Sequence, residues 1–205
     1  MLALLYMLGY TYQELTEILC NIDFKILQDI TTDGIFNYFK HFGFDSGKNI
    51  ERVIRIFLKK KTNNENITFS ELYKLTNKKL IITGTCLNTN SCTYFSHETY
   101  PNMPVIKAIS ISITIPFIFK VQKYENNSYV DGGVTENYPL DAIQNKNEVL
   151  GFLIKIDNKY KEINNIDDYS NAILESLYSK IEFFSCMPIS QPLLSLQVNS
   201  DIKDS

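Results

Sequence analysis

Asp131 is followed directly by Gly132 and Gly133, within the stretch Ser-Tyr-Val-Asp-Gly-Gly-Val-Thr-Glu-Asn-Tyr-Pro-Leu at 128–140. A carboxylate at the end of a short β-like run can act as a general base if the backbone brings it close to the proton it removes. Adjacent glycines, in a chain with only 8 of them, would give that backbone a conformation denied to other residues. Asp-Gly between two β-like runs is also a strong hairpin-turn signal, and on local pattern alone a plain turn is the simpler reading.

A base needs something to deprotonate. Gly43-Phe44-Asp45-Ser46-Gly47 puts Ser46 one place off the centre of a glycine frame, but reads more simply as a polar loop before a helix. Ser112 lies in an apolar stretch, where local hydrogen bonding is the simpler role. A Ser-His-Asp triad would have to recruit His41 or His97, and neither histidine stands in a motif that suggests it. Asp141 reads as a helix-start acid and Asp157 as a strand-end residue. The cysteines Cys20, Cys86, Cys92 and Cys186 fit no zinc spacing and read as free thiols of a reducing compartment. No metal site or cofactor motif is read from the sequence, and a Rossmann fingerprint and a phosphate loop are both missing.

These residues need elements to hold them. Residues 1–8 read as a buried helix with no capping residue before it, stopped by Gly9. They are too short to span a bilayer and lack the basic leader of a signal peptide. Thr11 and Glu14, and again Thr68 and Glu71, have capping-box spacing at the start of amphipathic helices. Ile50, Val53, Ile54, Phe57 and Leu58 mark another helix, with a polar loop over 59–68. Lys59-Lys60-Lys61 complements the dipole at the end of that helix. Residues 79–87 and 148–156 read as buried strands, and 128–131 as a brief one. Pro104 begins a helix towards Ser112 with Asn102 as its cap, Leu140 to Gln144 starts another, and Tyr169 to Phe184 is a last amphipathic helix before a loose polar tail. Helices alternating with short apolar strands imply α/β layering on a mostly parallel sheet.

Hydrophobic residues make up 44% of the 205 and charged ones 21%, as in an ordinary globular chain. A net charge of −3, with Arg52 and Arg55 the sole arginines, gives nucleic acid no electrostatic reason to bind.

Four segments in order resemble the patatin-like phospholipases. Residues 129–140 resemble the family's Asp-Gly-Gly motif with its trailing Asn137-x-Pro139. Residues 108–119 resemble its Ala-Ser-x-Ala-x-Pro-x-x-Phe segment, with Ser112, Pro116 and Phe119 in place and Thr114 where the small alanine stands. Residues 79–89 and 95–101 resemble the intervening strand and loop, and residues 2–15 the helix after the nucleophile. The similarity runs from residue 1 to about residue 156.

The resemblance implies a three-layer α/β/α fold, incomplete at the N-terminus, with 1–156 the C-terminal part of a phospholipase domain and 157–205 a helix and loose tail. It implies acyl-ester hydrolysis by a serine–aspartate dyad, without histidine, metal or cofactor, on phospholipid or another acyl lipid. Asp131 matches the base, supported by Gly132 and Gly133. An ordinary aspartate, with a pKa of about 3.9, is a feeble base at neutral pH, so tight positioning must make it effective. Neither Gly-x-Ser-x-Gly nor the oxyanion Gly-rich loop occurs in the 205 residues. By the resemblance, the nucleophile belongs about four residues before Met1. The expectation is an intracellular lipid acyl hydrolase, cytoplasmic or peripheral to membranes, that touches membrane surfaces transiently and needs a complementing N-terminal fragment for activity and solubility. The alternative is a non-catalytic remnant that binds lipid or a partner protein.

Overall fold

The computed structural model describes residues 2–29, 38, 40–143, 149, 151–155, 162–165, 168–169, 172–173, 175–176 and 194–197. The chain divides into two units, Met1–Gly132 and Gly133–Ser205.

The first unit opens with α1 (Leu2–Met7), which ends as its sequence demands. Gly9 adopts φ +78°, its N–H donates to the Tyr6 carbonyl, and the Tyr10 N–H donates to the Leu5 carbonyl, the paired bonds of a Schellman stop. α2 (Tyr12–Asn21) and α5 (Phe69–Thr76) both start in complete capping boxes, on Thr11/Glu14 and Thr68/Glu71. Between them lie α3 (Phe24–Leu27) and α4 (Lys48–Thr62). α4 takes in Lys59, Lys60 and Lys61 as its last turn, so the polar stretch expected as a loop over 59–68 starts as helix and leaves it only at Asn63, in the left-handed region. The three lysines sit at the negative end of the helix dipole.

α6 (Val105–Ser112) is apolar almost all round, burying Val105, Ile106, Ala108, Ile109 and Ile111. Such a helix belongs inside a core. Pro104 occupies its cap position rather than its first turn, and no side chain caps it; the expected cap at Asn102 is not formed.

β2 (Ile82–Cys86), β3 (Ser91–Phe95), β5 (Gln122–Tyr124) and β6 (Asn127–Asp131) form a sheet in the order β3-β2-β6-β5, every pairing antiparallel. β1 (Gly43–Asp45) and β4 (Phe117–Phe119) pair in parallel. Helices and strands are interspersed, consistent with the α/β class, but the four-stranded sheet is antiparallel throughout rather than mostly parallel as expected, because β2–β3 and β5–β6 are consecutive strands joined by short turns. α6 packs on β2 and β6, and the core runs through Leu4, Leu58, Phe69, Phe95, Met103 and Tyr129.

In the second unit, Leu140–Ala142 is a short 3-10 turn, with Asp141 the acid in it. β7 (Phe152–Lys155) lies within the strand expected at 148–156 and pairs in parallel with β8 (Leu194–Gln197), a strand inside the stretch read as a loose tail. Residues 168–169, 172–173 and 175–176 are helical; the rest of the helix expected from Tyr169 to Phe184, and Asp157 and Cys186, lie outside the described residues.

The seam between β2 and α6 leaves no room for a side chain at Gly84. A Cβ there would stand 2.5 Å from Ile111 Cγ2 and 2.9 Å from Phe95 Cε2, so Gly84→Ala overpacks the seam. The expected loss is about 1–3 kcal/mol in urea unfolding, with an unchanged slope.

The capping boxes carry a pH dependence of their own. The Glu14 and Glu71 carboxylates are held below the usual glutamate range, first by the backbone N–H groups of Thr11 and Thr68. Their folded-state values are lowered, so the cap contribution is present above the ordinary glutamate pKa and is lost as pH falls through the lower folded values. Far-ultraviolet circular dichroism across an acid titration should therefore show helix content held until below the usual glutamate range.

Candidate active site

The acid at the end of β6 is fixed through its backbone. Asp131 pairs with Gly84 in the β2–β6 ladder. Its N–H donates to the Thr114 carbonyl at 2.8 Å, and its carbonyl accepts from Thr85 Oγ1 at 2.7 Å. Both clamping residues are buried, Thr85 at 1% exposure and Thr114 at 1%. Thr114 Oγ1 in turn donates to the Ser110 carbonyl at 2.6 Å, tying the clamp to the last turn of α6. Asp131 itself is half-buried, and the strand stops there.

Gly132 does a different job from the one its sequence suggests. Its φ is not in the left-handed region; the chain passes from β6 into a 3-10 turn at Gly132–Val134. Its missing Cβ is a matter of space: a methyl group there would meet the Thr83 side chain, with Thr83 Cβ at 2.6 Å and the Thr83 backbone carbon at 2.7 Å. The strand therefore runs close against β2 just beyond the acid. The Asp-Gly hairpin reading also gives way, because the residues after Asp131 turn helically instead of folding back as a second strand.

The alternative nucleophiles and bases have structural work. Gly43-Phe44-Asp45 is strand β1, not the expected loop, and a Cβ at Gly43 would run into the backbone of Phe119 and Lys120. Asp45 is buried and accepts from the Asp29 N–H at 2.9 Å and the Gly47 N–H at 2.7 Å, while Ser46 Oγ donates to Asp29 Oδ2. Ser112 closes α6 as its last residue. His97 lies flat on Tyr73, ring centroids 3.8 Å apart, with Nε2 4.0 Å from Glu98. His41 is half-buried, and its carbonyl accepts from the Val121 N–H at 3.3 Å. Burial pushes the Tyr100 phenol up to about 12, with Tyr129 adding to the shift. Among the described residues no cluster of His, Cys, Asp and Glu could hold a metal ion, and no helix is long and apolar enough to cross a membrane. Cys20, Cys86 and Cys92 stand outside any disulfide.

The order of these parts, a helix closed by a serine, a buried threonine after it, and Asp-Gly-Gly at a strand end, can be set beside known proteins. The model of the patatin-like phospholipases matches residues 1–143. The chain belongs to that family. An uncharacterised protein of Acanthamoeba polyphaga mimivirus is 28% identical over 224 aligned residues, covering 98% of this chain and 73% of that protein. A probable lipid hydrolase of Invertebrate iridescent virus 6 is 37% identical over 101 residues, covering 48% of this chain and 34% of the viral protein. The patatin-like match takes in β6, the Asp131 clamp and the turn after it.

Sequence reasoning singled out Asp131, Gly132 and Gly133 but missed Thr83 and Thr85, and it noted Thr114 only as a departure from alanine. Thr83-Gly84-Thr85 alternates faces as a strand must, and a hydroxyl every second residue beside a glycine was the available signal.

Thr85→Val keeps the shape and removes the hydroxyl that Asp131 O accepts from. The expected cost is about 1–2 kcal/mol in urea unfolding, with Thr85→Ser recovering most of it. A cost below the error of the measurement would mean that the bond contributes nothing to holding the acid.

Proposed function

We propose that the chain carries the base half of a lipid acyl hydrolase, with Asp131 as general base. The observation that carries this reading is the two-sided clamp on Asp131: its N–H and its carbonyl are both held, by Thr114 and Thr85, so the carboxylate is presented from a fixed strand end. Fixed geometry is what a carboxylate needs if it is to serve as a base. Family membership supports an acyl-lipid ester as substrate, and the viral relative described as a probable lipid hydrolase agrees.

In the proposed reaction a serine Oγ attacks the acyl carbonyl while Asp131 takes its proton. The tetrahedral intermediate collapses, the ester C–O bond breaks, and Asp131 returns the proton to the departing alcohol. A water, deprotonated by the same carboxylate, then hydrolyses the acyl-serine and regenerates both groups. Neither the Gly-x-Ser-x-Gly elbow nor a Gly-rich oxyanion loop is among the 205 residues, so in this reading a complementing segment contributes both.

The surface of the first helices supports a complementing segment. α2 is amphipathic yet buries none of its residues, and Leu2 and Tyr6 of α1 are exposed at 49% and 67%. Apolar helix residues that are only partly covered favour a covering partner. The second reading, a non-catalytic protein that binds lipid or a partner, is favoured by the missing elbow alone.

Joined to a segment bearing the elbow and the oxyanion loop, the chain should hydrolyse a short-chain acyl ester. Asp131→Asn should then lower kcat by about 10²–10⁴ with little change in melting temperature. Activity that survives Asp131→Asn removes the aspartate from the mechanism; no activity in any complemented form favours the non-catalytic reading.

A further inference from the structure

Two phenylalanines stand out against the rest of the fold. Phe42 and Phe117 both have positive φ, 58° and 68°, and both are exposed, at 62% and 52%. Bulky side chains rarely adopt that backbone region, which glycine and asparagine occupy at little cost. Phe42 ends a helical turn with its N–H on the Tyr38 carbonyl, a position where glycine is the usual residue. Phe117 follows Pro116 directly, again where a turn favours glycine. Each ring thus occupies an unfavourable backbone site and gains little burial in return.

The two sites are neighbours. Gly43 is the parallel-ladder partner of Phe117, so Phe42 stands one residue before that pairing, at the same end of the β1–β4 sheet. In a chain of net charge −3, neither 34–44 nor 99–124 contains an acidic residue, and Asp45 and Glu125 are the acids that directly follow them. These stretches carry Lys40 and Lys123, both exposed, and Lys120 and Lys107, both half-buried, Lys107 donating to Gln122 Oε1. Asp45, the acid closing β1, is buried and turned onto the N–H groups of Asp29 and Gly47.

We propose that Phe42 and Phe117 form a paired insertion point for an anionic phospholipid surface, with Lys40, Lys120 and Lys123 drawing that surface to the sheet end. Exposed aromatic rings with lysines close by suit a lipid interface, where the rings leave water and the ammonium groups meet lipid phosphates. The choice of lipid rests on the acyl-lipid reading above; the insertion itself needs no catalysis.

The test uses the full chain and sedimentation with vesicles of phosphatidylcholine containing phosphatidylserine. Phe42→Gly and Phe117→Gly should each lower vesicle partitioning about tenfold, while melting at or above the temperature of the parent because glycine relieves the backbone. The chain has no tryptophan, so Phe42→Trp supplies a single reporter, and its emission should shift to the blue when vesicles are added. Asp131→Asn should partition like the parent, which separates failure of this surface from failure of the hydrolase reading. Glycine variants that bind vesicles unchanged, or that melt well below the parent, overturn the proposal. So does tryptophan emission that shifts with protein concentration alone, which would make the sheet end a contact between copies. Equal binding to phosphatidylcholine alone overturns the role of the lysines.

Discussion

The candidate site depends on a strand end whose backbone is held from two directions. The β2–β6 ladder fixes where Asp131 lies along the sheet, the Thr114 carbonyl holds its N–H, and the Thr85 hydroxyl holds its carbonyl. These contacts are all to the main chain. They fix the backbone from which the acid is aimed, so the rest of the fold serves as the support for this clamp. α6 must be buried for Thr114 to stay in place, and its apolar residues on nearly every side ensure that. β2 must approach closely, and the lack of a side chain at Gly84 and Gly132 permits it.

Much of this was legible in the sequence where the signal was local. Both capping boxes form, Gly9 stops its helix, and the strands read at 79–87 and 128–131 are found as β2 and β6. Such features depend on a few neighbouring residues and on periodicity, which tertiary contacts here left undisturbed. Readings that failed were those decided by distant partners. The stretch 43–47 looked like a loop because it has two glycines and two polar residues; its first three residues are a strand because Gly43 lets β4 come close. Gly132 looked like a conformational glycine, and is instead a spatial one, because Thr83 lies against it across the sheet.

The same distinction applies to the chemistry. Family resemblance pointed to Asp131, and the residues that hold it could be found only by seeing which chain segments meet. Thr114, a departure from the alanine of the family's segment, fills its place with a hydroxyl that bonds back into α6. A buried hydroxyl is tolerated when it finds an acceptor, and here the Ser110 carbonyl provides one.

The central claim is that Asp131 serves a serine which lies outside these 205 residues. The most direct measurement is to treat the protein, together with any polypeptide that copurifies with it, with a fluorophosphonate and to locate the adduct by peptide mass spectrometry. The account predicts an adduct on the serine of a Gly-x-Ser-x-Gly sequence absent from this chain, formed much more slowly in Asp131→Asn. An adduct on Ser46, Ser112 or another serine of this chain would contradict it.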